Sequence, residues 1–141
     1  MLEMIKSEEL KASTGKTYLK IKADLAEKWI YSDWIGYPTP DNVAEGSITY
    51  LDAMKAHNFD KILNDNRNLV GRWDQSLNWV KQVWLPYAVK AGLKKFAHIA
   101  HADALATGAA SVMKDIVKDH LEMQVFSDLE TAKNWLREHN N

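Results

Sequence analysis

The sequence predicts an α/β domain built on a single-layer, mixed, mostly parallel five-stranded sheet packed with four helices, in the order β-β-α-β-α-β-α-β-α. Three observations lead there. Two β-rich stretches follow one another across a short polar connection, which suits an antiparallel hairpin. After them, short apolar strands alternate with stretches of helical period, and strands joined through one helix normally run parallel with right-handed crossovers. The length of 141 residues fits one domain, and a chain of that size buries roughly 68 to 70% of its unfolded surface, enough for its own core.

The first strand is Thr17 to Asp24, where Leu19, Ile21 and Ala23 fall on one side of an alternating pattern. Asp24-Leu25-Ala26-Glu27 connects it to Lys28 through Ile35, rich in aromatic and β-branched residues, and Gly36 ends the hairpin. Residues 1–16 are read as an N-terminal extension and 17–141 as the domain. Thr39-Pro40-Asp41 opens a helix, with Thr39 as cap, Pro40 at the first position and Asp41 on the dipole, followed by the stripe Val43, Ser47, Ile48, Leu51 and Met54. A third strand starts at Lys61-Ile62-Leu63 and runs into polar Asn64 to Asn68. Asp74 is expected to cap a second helix with Leu77, Val80, Trp84, Tyr87 and Ala91 on one face, Gly92 as its stop and Pro86 as a kink. Phe96 to Ala100 is the fourth strand, Asp103 the cap of a third helix carrying Leu105, Ala109, Val112 and Ile116, and Met123 to Phe126 the fifth strand. A last helix begins at Ser127 or Asp128, Ser127 and Glu130 having capping-box spacing.

Composition narrows the function classes. The absence of cysteine removes disulfides, thiolate metal sites and thiol nucleophiles together and suits a reducing compartment, so the cytoplasm is expected. Residues Met1 to Lys16 lack the apolar core of a signal peptide, and the longest uncharged apolar stretch, Ala104 to Met113, falls far short of the ~20 residues of a membrane span. Eighteen basic against 19 acidic residues, mixed along the chain, give none of the basic footprint of a nucleic-acid binder. There is no G-x-S-x-G elbow, Walker or Rossmann glycine pattern, H-E-x-x-H or paired zinc motif, so no cofactor and no catalytic residue is assigned.

The element order, the hairpin ending Trp34-Ile35-Gly36, the helix start Thr39-Pro40-Asp41, the polar strand end at Asp65 and Gly92-Leu93-Lys94-Lys95-Phe96 resemble the SpoIIAA-like branch of the STAS superfamily over roughly Thr17 to Glu138. In the anti-sigma factor antagonists of that superfamily an Asp-Ser-Ser-Gly-like helix start carries a phosphorylated serine. The matching place here reads Asp74-Gln75-Ser76-Leu77, so the resemblance makes Ser76 the candidate phosphosite, while Gln75 replaces the other serine and no glycine follows. The branch is also structurally similar to CRAL-TRIO lipid carriers, which implies an apolar ligand or a membrane surface as the second idea.

Ligands of open α/β sheets collect beyond the carboxyl ends of the strands. That rule selects Asp65, Asn66, Arg67, Asp74, Ser76, His101, Asp103, Ser127 and Asp128 as a candidate polar pocket, with Arg67 holding an anion and His101 moving a proton. The structural alternative is that the acids and Ser127 cap helices and Arg67 pairs with a carboxylate. His98, His101 and Asp103 invite a metal reading, but residues three apart in a strand point to opposite faces, so no metal site is assigned. Of six tryptophans, Trp73 and Trp79, with Val83, are candidates for an exposed apolar patch, core burial being the alternative.

The expected function is a non-enzymatic regulatory or protein-interaction module of STAS type with an unidentified protein partner. Two alternatives stay open: a carrier or sensor of an apolar or amphipathic ligand, and a Ser76 phosphoswitch. A homodimer is left open.

Overall fold

The computed structural model describes residues 5–71, 73–101 and 108–138. Its strands are β1 (Ile5–Lys11), β2 (Thr17–Asp24), β3 (Trp29–Trp34), β4 (Lys61–Asp65), β5 (Lys95–Ile99) and β6 (Glu122–Phe126). They form one sheet in the order β1-β2-β3-β4-β5-β6. β1, β2 and β3 pair antiparallel, and β3 to β6 run parallel. The mixed, mostly parallel α/β sheet is as expected, but it has six strands rather than five. The additional strand lies in the segment read as an extension. Its sequence, Ile-Lys-Ser-Glu-Glu-Leu-Lys, has almost no apolar alternation because it is an edge strand, held by its backbone ladder to β2 and protected by charge from pairing further.

The opening hairpin turns at Asp24, whose carboxylate accepts from the N–H groups of Ala26 and Glu27, and at Lys28, which takes a left-handed φ of 62°. Helix α1 (Pro40–Ala56) begins as its sequence requires. Thr39 accepts from the Asn42 N–H and Asn42 Oδ1 accepts from the Thr39 N–H, both at 3.1 Å, a reciprocal capping box. Gly46 lets this helix approach the sheet, since a Cβ there would stand 2.7 Å from both Leu19 Cδ2 and Trp34 Cη2.

The second helical run, α2, covers residues 74–91 and is a composite. A 3-10 turn (Asp74–Ser76) passes into an α turn (Leu77–Trp79), a π segment (Val80–Trp84) and a final α segment (Leu85–Ala91). Pro86 explains the π segment. Proline has no N–H to donate and crowds the carbonyl four residues earlier, and widening the preceding turn relieves both. The Leu85 N–H accordingly reaches back five residues to the Val80 carbonyl. The extra residue rotates the final α segment about the helix axis, so Leu85 and Ala88 face the core while Tyr87, expected on the buried face, is 40% exposed. Asp74 does not cap the run. Trp73 holds the cap position and no side chain makes a cap bond there, because the chain enters through a tight 3-10 turn. Gly92, at φ 96°, ends the run as expected.

Helix α3 (Ala109–Val117) starts after Gly108 at φ 78°, and the expected cap Asp103 with Leu105 lies outside the described residues. Helix α4 (Leu129–Arg137) is capped by Asp128, which accepts from both the N–H and the hydroxyl of Thr131 at 2.8 and 2.9 Å. Ser127 is therefore not the cap, the longer carboxylate reaching the first turn one residue later. At the other end, buried Lys95 donates from Nζ to the carbonyls of Trp135 and Glu138, both at 3.2 Å, placing a cation on the negative end of the helix.

One sheet face, carrying Leu19, Ile21, Ile30, Ile62 and Phe96, packs with Leu51 and Met54 of α1, Trp84 of α2 and Met113 of α3 in the main core. The opposite face has a smaller core of Trp29, Leu63, Ala97 and Ile99 under Ala132 and Leu136 of α4.

Candidate functional site

In β4 consecutive side chains alternate between the faces, so Asn64 enters the main-core side and Asp65 the α4 side. The rim expected to be one polar pocket is thereby divided in two.

On the main-core side a cavity of about 50 Å³ lies between the sheet and α2. Its walls include Trp34, Tyr50, Trp73, Trp84 and Phe96, with Val43, Leu69, Val80 and Met113, and its polar residues are Ser47, Asn64, Asn66 and His98. Trp84 meets Phe96 edge-on with ring centroids 5.3 Å apart, and its Nε1–H donates to the Tyr50 hydroxyl at 3.0 Å. Trp73 tilts over the His98 ring at 5.7 Å, and Phe96 stacks beneath the same ring at 6.3 Å.

The hydrogen bonds of this pocket have a defined direction. An indole N–H can only donate, so the 2.8 Å contact from Trp34 Nε1 fixes the Asn64 amide with Oδ1 toward the tryptophan. The Asn64 Nδ2 must then donate, and it does so to His98 Nδ1 at 3.1 Å on the paired residue of β5 and to Asn66 Oδ1 at 3.4 Å. A His98 ring that accepts at Nδ1 carries its proton at Nε2. Burial pushes His98 down to about 4, against a small upward pull from the Asp65 charge, so the ring is neutral at physiological pH.

On the α4 side the chemistry is ionic. Asp65 has a fully buried side chain that accepts from the Tyr31 hydroxyl at 2.6 Å, from the Arg67 N–H and Nε at 3.0 Å each, and from Arg67 Nη2 at 2.8 Å. Burial alone would push Asp65 up, but the hydrogen bonds from Arg67 and Tyr31 outweigh it and hold the carboxyl below its ordinary value. The hydrogen bond to Asp65 raises Arg67, and burial followed by its own hydrogen bond to Asp65 raises Tyr31. Arg67 thus pairs with a neighbouring carboxylate, as the structural alternative held.

The remaining sequence candidates scatter. His101 and Ser127 are exposed at the strand ends, Asp74 is half-buried in the first turn of α2, and Asp103 is outside the described residues. Ser76 is 4% exposed, so an enzyme would reach its hydroxyl only after that turn opens. The apolar patch is also divided: Val83 is 45% exposed, whereas Trp73 and Trp79 are half-buried against the main core. Among the described residues no group of three or more His, Cys, Asp and Glu side chains could hold a metal ion. None of their helices is long and apolar enough to cross a membrane.

Sequence reasoning missed Asn64 and gave His98 only a metal role. The available signal was strand alternation, since Ile62, Asn64, Phe96 and His98 all fall on the inward face once β4 and β5 are paired. The chain matches no protein-family model, no curated protein and no solved structure.

Proposed function

We propose that the chain is a non-catalytic regulatory module of the STAS, SpoIIAA-like type, in which a small ligand in the aromatic pocket is the input and a protein partner reads the outcome. One observation carries this reading: α2 has a different role on each side. Val80 and Trp84 line the pocket, while Val83, Tyr87 and Val89 on the same run are 45%, 40% and 42% exposed apolar or aromatic surface. A ligand that moves the inner side chains moves the outer ones with them, because all ride on one short helical run. The π segment gives that run a place to yield, as such bulges often do at functional sites. The hairpin followed by a parallel sheet is compatible with the resemblance in element order.

Native mass spectrometry of untreated protein, followed by the same sample denatured, tests the reading. A non-covalent adduct that disappears on denaturation, and tryptophan fluorescence that changes when it is removed, are the expected results. A bare chain whose fluorescence is indifferent to a library of small apolar molecules, or turnover of a substrate dependent on His98, would overturn it.

A further inference from the structure

Resting on the reading that this pocket binds a ligand, we infer that the ligand is a small uncharged carbonyl compound with an apolar body, its oxygen accepting a hydrogen bond from His98 Nε2–H. Among the described residues no lysine, arginine, aspartate or glutamate lines the cavity. An anion or a cation there would lose its hydration without gaining an opposite charge, which is strongly unfavourable. The aromatic walls favour an apolar body.

The pocket nonetheless has a directed polar end. The Trp34 to Asn64 to His98 relay leaves Nε2 as the donor of a neutral ring. Asn66 supplies a second donor, because its Oδ1 faces Asn64 and its Nδ2 is the other arm of the amide. Two N–H donors suit the two lone pairs of a carbonyl oxygen and offer nothing to a ligand that can only donate. The size sets the remaining bound. A cavity of about 50 Å³ exceeds what one ordered water needs and falls below the ~150 Å³ of a benzene-binding cavity, so the molecule is small or inserts its carbonyl end.

The test uses the full chain and three probes: 2-butanone, butyrate as its charged counterpart of similar length, and xenon as an apolar probe without an acceptor. Imidazole NMR of His98 and tryptophan fluorescence report binding. The expected result is a saturable shift of the His98 Nε2 resonance with 2-butanone, at least tenfold weaker binding of butyrate, and a loss of at least fivefold in ketone affinity in His98→Phe with xenon binding kept. Butyrate binding as well as 2-butanone, or a folded His98→Phe with unchanged ketone affinity, overturns the carbonyl assignment and leaves the pocket reading standing. The same holds if xenon binds and 2-butanone does not. No response to xenon or 2-butanone at all overturns both. Should His98→Phe fail to fold, the wild-type contrast between ketone and carboxylate decides alone.

Discussion

Residues Asn64 and Asp65 are neighbours in β4, yet they enter opposite faces of the sheet and join networks of different character. On the main-core side, Trp34, Asn64 and His98 form a neutral relay enclosed by aromatic rings. On the α4 side, Tyr31, Asp65 and Arg67 form an ionic cluster whose guanidinium side chain stays 40% exposed. The difference follows the cost of desolvation. Neutral amides and imidazole can be enclosed once each is hydrogen-bonded, whereas an ion pair is tolerated where one partner keeps contact with water. The enclosed face therefore holds neutral groups, and the ionic face acts as a clasp between two strands and the loop after β4.

The largest expected effect tests whether the two faces are unequal in packing as well as in polarity. Trp84→Ala removes a ring that is 1% exposed, touches Phe96 and donates to Tyr50, and should cost about 3 to 5 kcal/mol in urea unfolding at neutral pH. Leu136→Ala, in the smaller core under α4, should cost about 2 to 4 kcal/mol. Equal costs would mean that α4 anchors the sheet as firmly as the three helices opposite.

The two networks should also separate along the pH axis. The folded value of His98, about 4, lies below the unfolded value of about 6.5, so the unfolded chain takes up the proton first. Stability from this site is fully present above about pH 6.5 and falls as the pH drops toward 4, by about 3 kcal/mol in all. Asp65 behaves as a depressed carboxylate: its contribution is present above about pH 3.9 and is lost as the pH falls through its lower folded value. Urea unfolding from pH 7 to pH 2 should thus show two slopes. His98→Gln should flatten the upper one and leave the lower. Asp65→Asn should remove the lower one and cost about 2 to 3 kcal/mol at pH 7, since it weakens charge-assisted bonds from Arg67. A single slope abolished by His98→Gln would show that the ionic clasp contributes little.

How much of this was legible in the sequence depends on where the signal resides. The hairpin, the Thr39-Pro40 helix start, the Gly92 stop and the disturbance at Pro86 are local, each written in residues within a few positions of one another. β1 was not legible because an edge strand needs no apolar face to join the ladder. The site was legible only in part. Strand ends were the right place, but treating their residues as one rim ignored the alternation that sends Asn64 and Asp65 apart. His98 became informative only when the β4 and β5 register set it beside Asn64, a contact across 34 positions of sequence.

The smallest effect sharpens the comparison most, because it removes one atom. Tyr31→Phe deletes the hydroxyl that donates to Asp65 Oδ2 at 2.6 Å and leaves the Arg67 bonds in place. At pH 7 the cost should be about 1 kcal/mol, the net value of one hydrogen bond. The more telling change lies in acid. Burial drives Asp65 upward, and the donors from Arg67 and Tyr31 drive it down. Losing one donor moves its folded value up toward the unfolded one, so the lower slope should end at a higher pH and span less free energy while the His98 slope stays where it was. An acid slope that does not move would assign the depression of Asp65 to Arg67 alone. A His98 slope that moves as well would mean that the two faces are coupled through β4 rather than insulated by it.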